Sequence, residues 1–104
     1  MIYLIECKTC GKPYIGSTET PFRARFNNYR SSQRNFEKGK KVKQESFHVH
    51  FSEEGHYGEK DWVITLIDSA ENVEELRKKE SFWQHELNTF QPLGLNEREV
   101  PLLF

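Results

Sequence analysis

Residues 2–16 read IYLIECKTCGKPYIG, and this stretch decides the fold. Residues 2–6 (IYLIE) and 12–16 (KPYIG) have the composition of two short strands. The tight turn CKTCGK between them makes a hairpin. Working outward, Thr20-Pro21 reads as the start of a helix, with Thr as cap and Pro in the first turn. Phe22, Phe26 and Tyr29 then recur at helical spacing to about residue 32. Residues 31–41 are polar and basic and read as a loop. A second helical segment is expected over roughly 42–53, with Val42, Phe47 and Phe51 as its apolar positions. Gly55 and Gly58 mark a turn. Residues 62–68, WVITLID, form a strand that is apolar on both faces and is therefore expected at the centre of the sheet. Ser69 to Asn72 offers a cap for a last helix over about 72–88. A Pro92–Gly94 loop and a tail from about residue 97 follow. The order ββααβα predicts a small α+β domain over residues 1–104. Its three-stranded sheet would consist of the N-terminal hairpin plus a central strand, flanked by helices.

The length of 104 residues fits one modest core. A domain of that size buries only about two-thirds of its unfolded surface, so a structural metal would help it. Aromatic residues at 13% are enough for a core and exclude a disordered tail. No stretch approaches the roughly 20 apolar residues of a membrane helix. MIYLIECKTC lacks the basic start and long apolar run of a signal peptide. Intracellular action without a membrane is therefore expected. The two cysteines then read as metal ligands or free thiols before a disulfide. A net charge of −1 gives no sign of an anion-binding surface. The distribution changes that view. Residues 1–50 carry ten Lys or Arg against four Asp or Glu, a net of +6, whereas residues 51–104 carry five against twelve, a net of −7. Arg23, Arg25, Arg30, Arg34, Lys38, Lys40, Lys41 and Lys43 form a candidate phosphate-binding patch. A solvated charged face is the competing reading.

The last helix carries the sharpest anomaly. Its inward stripe runs Val73, Leu76, Glu80, Trp83, Leu87, at spacings of three and four. A carboxylate in the middle of such a stripe costs several kcal/mol unless a cation or donor meets it. Metal binding, acid–base work or an ion pair to Arg would each explain it. On the first helix Arg25 and Tyr29 lie four apart on one face, where an Arg can clamp phosphate. Tyr3 and Tyr14 sit one on each hairpin strand, as packing residues or as a pair facing one side.

Together these residues resemble the GIY-YIG nuclease family. Ile2-Tyr3 matches the first signature, with Met1 in the place of its leading Gly. Tyr14-Ile15-Gly16, followed by Ser17-Thr18, matches the second in full. The family's catalytic Arg matches Arg25 in RARF, with Arg23 as the rival alignment. Tyr29 matches the His or Tyr one turn later, Glu80 in ESFW the metal-binding Glu, and Asn96 in GLN a late Asn. The resemblance spans about residues 2–96 and implies phosphodiester hydrolysis of DNA with one Mg²⁺ or Mn²⁺ on Glu80. It implies that Tyr14 activates or orients the attacking water and Tyr3 positions it. Arg25 would stabilise charge developing on the phosphate, and Asn96 would support the site. Tyrosine is a poor base at its ordinary pKa near 10, so positive charge must assist it. Gly16, Ser17, Arg23, Arg30 and Lys41 are expected to contact the substrate.

Cys7-x-x-Cys10-Gly11-Lys12 has the form of a zinc knuckle, which needs two further ligands. FHVHFSEEGH supplies His48, His50 and His56. The chain further resembles the GIY-YIG nucleases of Penelope-like retroelements, which place a Cys pair between the signatures and two His downstream. His50-Phe51 and Gly55-His56 match that pattern. The resemblance implies a structural Zn²⁺ on Cys7, Cys10, His50 and His56. It also implies a fused or separate reverse transcriptase or targeting domain as partner, and nuclear action in a eukaryote. The alternative from another class is a non-catalytic, zinc-stabilised nucleic-acid-binding module with the same fold. A third reading is a protein-interaction domain whose Glu80 is ion-paired.

Overall fold

The computed structural model describes residues 1–42, 45–53, 55–91 and 93–96, with the side chains of 45 and 46 also left aside. The expected tail from residue 97 and Lys43 of the basic patch lie outside the described residues. Strand β1 (Ile2–Cys7) pairs antiparallel with β2 (Pro13–Ser17) and with β3 (Trp62–Asp68), giving the sheet order β2-β1-β3. The α+β class and the three-stranded sheet stand as expected. The place of WVITLID does not: β1, not β3, is central. The reason is burial. Ile2, Tyr3, Ile5 and Cys7 are all buried, while Val63 and Leu66 of β3 are 44% and 48% exposed. An apolar run on both faces is necessary for a central strand, but the strand that owns two partners is settled by the hairpin.

The hairpin turn closes through Gly11 N–H donating to the Cys7 carbonyl at 2.7 Å and Cys7 N–H to the Lys12 carbonyl at 3.0 Å. Gly11 has φ of 78°, which its missing Cβ permits.

Helices cover both faces. Tyr3, Ile5, Cys7 and Tyr14 face α1 (Phe22–Glu37) and α2 (Glu45–Ser52), packing with Tyr29, Phe47 and Phe51. Ile2, Leu4 and Ile15 face α3 (Val73–Glu86), packing with Leu76 and Trp83. Alternate side chains of β1 therefore serve opposite cores, as the pleat requires.

Helix α1 begins one residue later than expected, with Pro21 at the cap position and no side-chain cap. Thr20 Oγ1 instead bonds Thr18 Oγ1 at 2.9 Å. The helix also runs through residues expected as loop. Gln33 is the cause: it is buried, its amide donates to Ser52 Oγ at 2.9 Å, and its carbonyl oxygen lies 2.7 Å from His48 Nδ1. This polar seam holds α1 against α2, and a hydrophobic period does not detect it. Helix α3 is capped by Asn72, whose side chain accepts from Glu75 N–H at 2.8 Å. Its stripe is inward only in the middle, because Val73 and Leu87 are exposed. A single 3-10 turn, Gly58–Asp61, joins α2 to β3.

Candidate active site and metal centre

Tyr3, Tyr14 and Tyr29 converge on one face of the sheet, and their hydroxyls form a chain. Tyr29 Oη donates to Tyr14 Oη at 3.0 Å. A phenol has one hydrogen, so the 2.8 Å bond between Tyr3 and Tyr29 has Tyr3 as donor. Arg25 Nε in turn donates to Tyr3 Oη at 3.4 Å, and its guanidinium lies 5.0 Å from the centre of the Tyr29 ring. The chain thus runs in one direction, from Arg25 through Tyr3 and Tyr29 to Tyr14. Burial pushes all three phenols well above their ordinary value near 10. For Tyr14 the bond from Tyr29 and the nearby Arg25 charge act the other way but do not outweigh burial. Burial alone would lower the Arg25 guanidinium; its hydrogen bond to Tyr3 and the neighbouring phenols reverse that and hold it charged. Arg23, the rival, is exposed on the other side of the helix turn. Among the described residues it makes no contact with the tyrosines. The geometry therefore singles out Arg25.

Gly16 pairs with Tyr3 across the hairpin. A Cβ at Gly16 would lie 2.5 Å from the Tyr3 ring, so the tyrosine can occupy its place only over a glycine. Ser17, the next residue, donates a short hydrogen bond to Glu80 Oε2. Gln84, one turn on along α3, donates to Glu80 Oε1 at 3.5 Å. Gln84 was not among the sequence candidates, although its i,i+4 spacing from Glu80 is a signal for it. No ion pair to Glu80 occurs among the described residues. The carboxylate is half-buried and close enough to raise the Tyr14 phenol further. An anionic oxygen donor held by neutral groups fits a hard divalent cation.

Asn96 is buried and bonds both backbone groups of Ile15. Its Oδ1 accepts from Ile15 N–H and its Nδ2 donates to the Ile15 carbonyl, each at 3.0 Å. Because β2 is an edge strand, the Asn96 amide stands where a fourth strand would pair. It thereby fixes the backbone between Tyr14 and Gly16. The remaining substrate candidates lie apart. Arg30 Nε bonds Glu59 Oε2 at 3.1 Å and stacks over Phe26, while Lys41 is exposed beyond α1.

At the other end of β1, Cys7, Cys10, His50 and His56 gather with all four ligand atoms within 4.8 Å of one another. Cys10 Sγ is 3.3 Å from His50 Nε2. Tetrahedral zinc, with Zn–S near 2.3 Å and Zn–N near 2.0 Å, sets its ligand atoms about 3.3–3.8 Å apart. The cluster fits that ion with little adjustment. Burial lowers the His50 imidazole, which favours the neutral form a metal needs. Burial raises the Cys7 thiol; at Cys10 the opposing bond from His56 and backbone donors lower it. His48 points elsewhere, to Gln33, and burial holds its pKa down to about 4.

A family model described as the GIY-YIG catalytic domain matches residues 1–93. The chain belongs to the GIY-YIG family, and its three-stranded antiparallel sheet with flanking helices is the fold of that catalytic domain. The catalytic domain of the homing endonuclease I-TevI superposes with a TM-score of 0.72 at 21% identity, covering 93% of this chain and 96% of that one. A mutant of the catalytic domain of the intron endonuclease I-TevI gives 0.71 at 20% identity, covering 99% and 97%. No curated protein matches the sequence.

Proposed function

We propose that the chain is a metal-dependent DNA endonuclease that hydrolyses phosphodiester bonds, acting as a single domain over residues 1–104. The observation that carries this reading is the directed chain from Arg25 through Tyr3 and Tyr29 to Tyr14, with Glu80 beside it. Arg25 stays charged and sits where it can meet a phosphate oxygen. Tyr14 accepts a hydrogen bond from Tyr29 and feels the Glu80 charge, so it is the phenol best supported to orient the attacking water. Tyr3 passes the polarisation from Arg25 and places Tyr29. Ser17 and Gln84 hold the Glu80 carboxylate, and Asn96 fixes the strand that carries Tyr14 and Ser17. A Mg²⁺ or Mn²⁺ on Glu80 would supply neutralisation of the scissile phosphate and its leaving oxygen. Arg23, Arg30 and Lys41 are assigned to the DNA strand outside this centre, Arg30 after exchanging Glu59 for a phosphate.

The second metal is assigned as structural zinc on Cys7, Cys10, His50 and His56, supported by donor type and spacing. The Cys pair between the two signatures, with His50 and His56 downstream, supports a finer placement among the nucleases of Penelope-like retroelements. A fused or separate reverse transcriptase or targeting domain would then supply the target, with action inside the cell and in the nucleus of a eukaryote. Supercoiled plasmid incubated with Mg²⁺ or Mn²⁺ tests the activity. The wild type should give nicked or linear product and Glu80→Gln none. Product from neither means that a required substrate or targeting partner is missing, or that the chain is the non-catalytic binding module.

A further inference from the structure

We infer that the groove between the hairpin turn and the 3-10 turn is a second DNA-strand site, holding phosphates on Lys8 and Lys60 and one base on Tyr57. The groove has a volume of about 420 Å³ and is lined by Lys8, Thr9, Tyr57, Lys60 and Asp61. Its frame is rigid. Lys8 N–H donates to the Asp61 carbonyl at 2.7 Å, Thr9 Oγ1 donates to Asp61 Oδ1 at 3.1 Å, and Tyr57 N–H donates to Asp61 Oδ2 at 2.6 Å. Both oxygens of the buried Asp61 are thus engaged within the fold. Among the described residues no carboxylate lies within ion-pair distance of either lysine.

Tyr57 is the second observation. Its backbone is pinned, yet the residue is 70% exposed and its ring meets no other ring or cation among the described residues. A held but uncovered aromatic beside two unpaired cations is the layout of a stacking platform on a single strand. An acidic peptide would use the lysines and leave the ring without a partner, so a nucleic-acid strand fits better.

Distance agrees. Lys8 follows the last residue of β1, five residues beyond Tyr3. At about 3.3 Å per residue that is roughly 17 Å. The groove is thus far enough from the tyrosines to hold a different part of the same strand. The identity of the ligand rests on the nuclease reading, so the test measures binding alone, without cleavage.

The probes are two fluorescein-labelled DNA duplexes, one blunt and one with a single-stranded extension, titrated without added Mg²⁺ or Mn²⁺. Lys8→Gln with Lys60→Gln should flatten the slope of log affinity against log salt by about 1.5. Tyr57→Ala should weaken the extended duplex roughly fivefold or more and the blunt one little, while Tyr57→Phe restores wild-type binding. Unchanged zinc content and melting temperature certify the variants as folded. Folded variants that bind both probes with wild-type slope and affinity overturn the inference, as does a wild type that binds neither. If plasmid is cut but the groove variants bind normally, only the groove fails. If the groove variants lose binding and the wild type cuts no plasmid, only the nuclease reading fails.

Discussion

The two ends of β1 hold two different kinds of site. At one end, Tyr3, Tyr14, Tyr29 and Arg25 are fixed by hydrogen bonds among themselves and by burial in the aromatic core. At the other, Cys7 comes from the end of β1, Cys10 from the turn, His50 from α2 and His56 from a loop, and their ligand atoms converge. The first is organised by packing and by hydrogen bonds among its own side chains. The second brings α2 and the hairpin turn together across a sequence gap of 40 residues, as in the Cys10–His50 contact. Its donors gain most when an ion replaces contacts that neutral thiols and imidazoles make weakly. On the proposed assignments, the domain places its stability at one end of a strand and its chemistry at the other.

Removing zinc should have the largest effect. Replacing Cys7 by Ala takes a buried donor from the proposed four-ligand zinc site, and a structural zinc stabilises small domains by many kcal/mol. A loss on the order of 5 kcal/mol would lower the melting temperature by 20 °C or more in a domain of this size. Calorimetry with zinc analysis reads it. An unchanged melting temperature with full zinc content removes Cys7 from the ligand set and breaks the contrast between the two ends.

Next comes the tyrosine end. Gly16→Ala drives a Cβ into the Tyr3 ring, an overpacking that costs about 1–3 kcal/mol. Because the displaced ring carries the proposed relay, cleavage should fall by about a hundredfold. Zinc content should stay at the wild-type value. If cleavage is unaffected, the position of Tyr3 is not part of the chemistry.

The smallest change is Tyr29→Phe. It removes one hydroxyl, leaves the Tyr3 and Tyr14 oxygens short of a partner, and should cost about 1–3 kcal/mol by urea denaturation. It also interrupts the chain, so single-turnover cleavage should drop by roughly tenfold. A loss of stability with full activity would make the cluster a packing feature only.

Much of this contrast was legible in the sequence. WVITLID shows its strand in β-branched residues, and the structure begins and ends the strand on the same residues. Glu80 stands out as a carboxylate between Leu76 and Trp83. The Cys-x-x-Cys turn announces ligands, although choosing His50 over His48 needs the helix phase that sends His48 to Gln33. Three features were not legible. Strand order depends on which strand takes two partners, and periodicity is silent on that. The second half of α1 is held by Gln33, a polar seam without an apolar repeat. Asn96 works by pairing with the backbone of Ile15, 81 residues away, a contact that no local pattern encodes.

On the proposed reading, Glu80 carries the catalytic cation while the Cys/His cluster carries only structure. Single-turnover cleavage as a function of Mg²⁺ concentration tests it, with wild type beside Glu80→Gln and zinc content measured on the same samples. The expected result is a saturable Mg²⁺ dependence in the wild type and a loss of about a hundredfold or more in Glu80→Gln, at equal zinc content and equal melting temperature. Wild-type cleavage by Glu80→Gln, or a rate that follows zinc and ignores Mg²⁺, would contradict it.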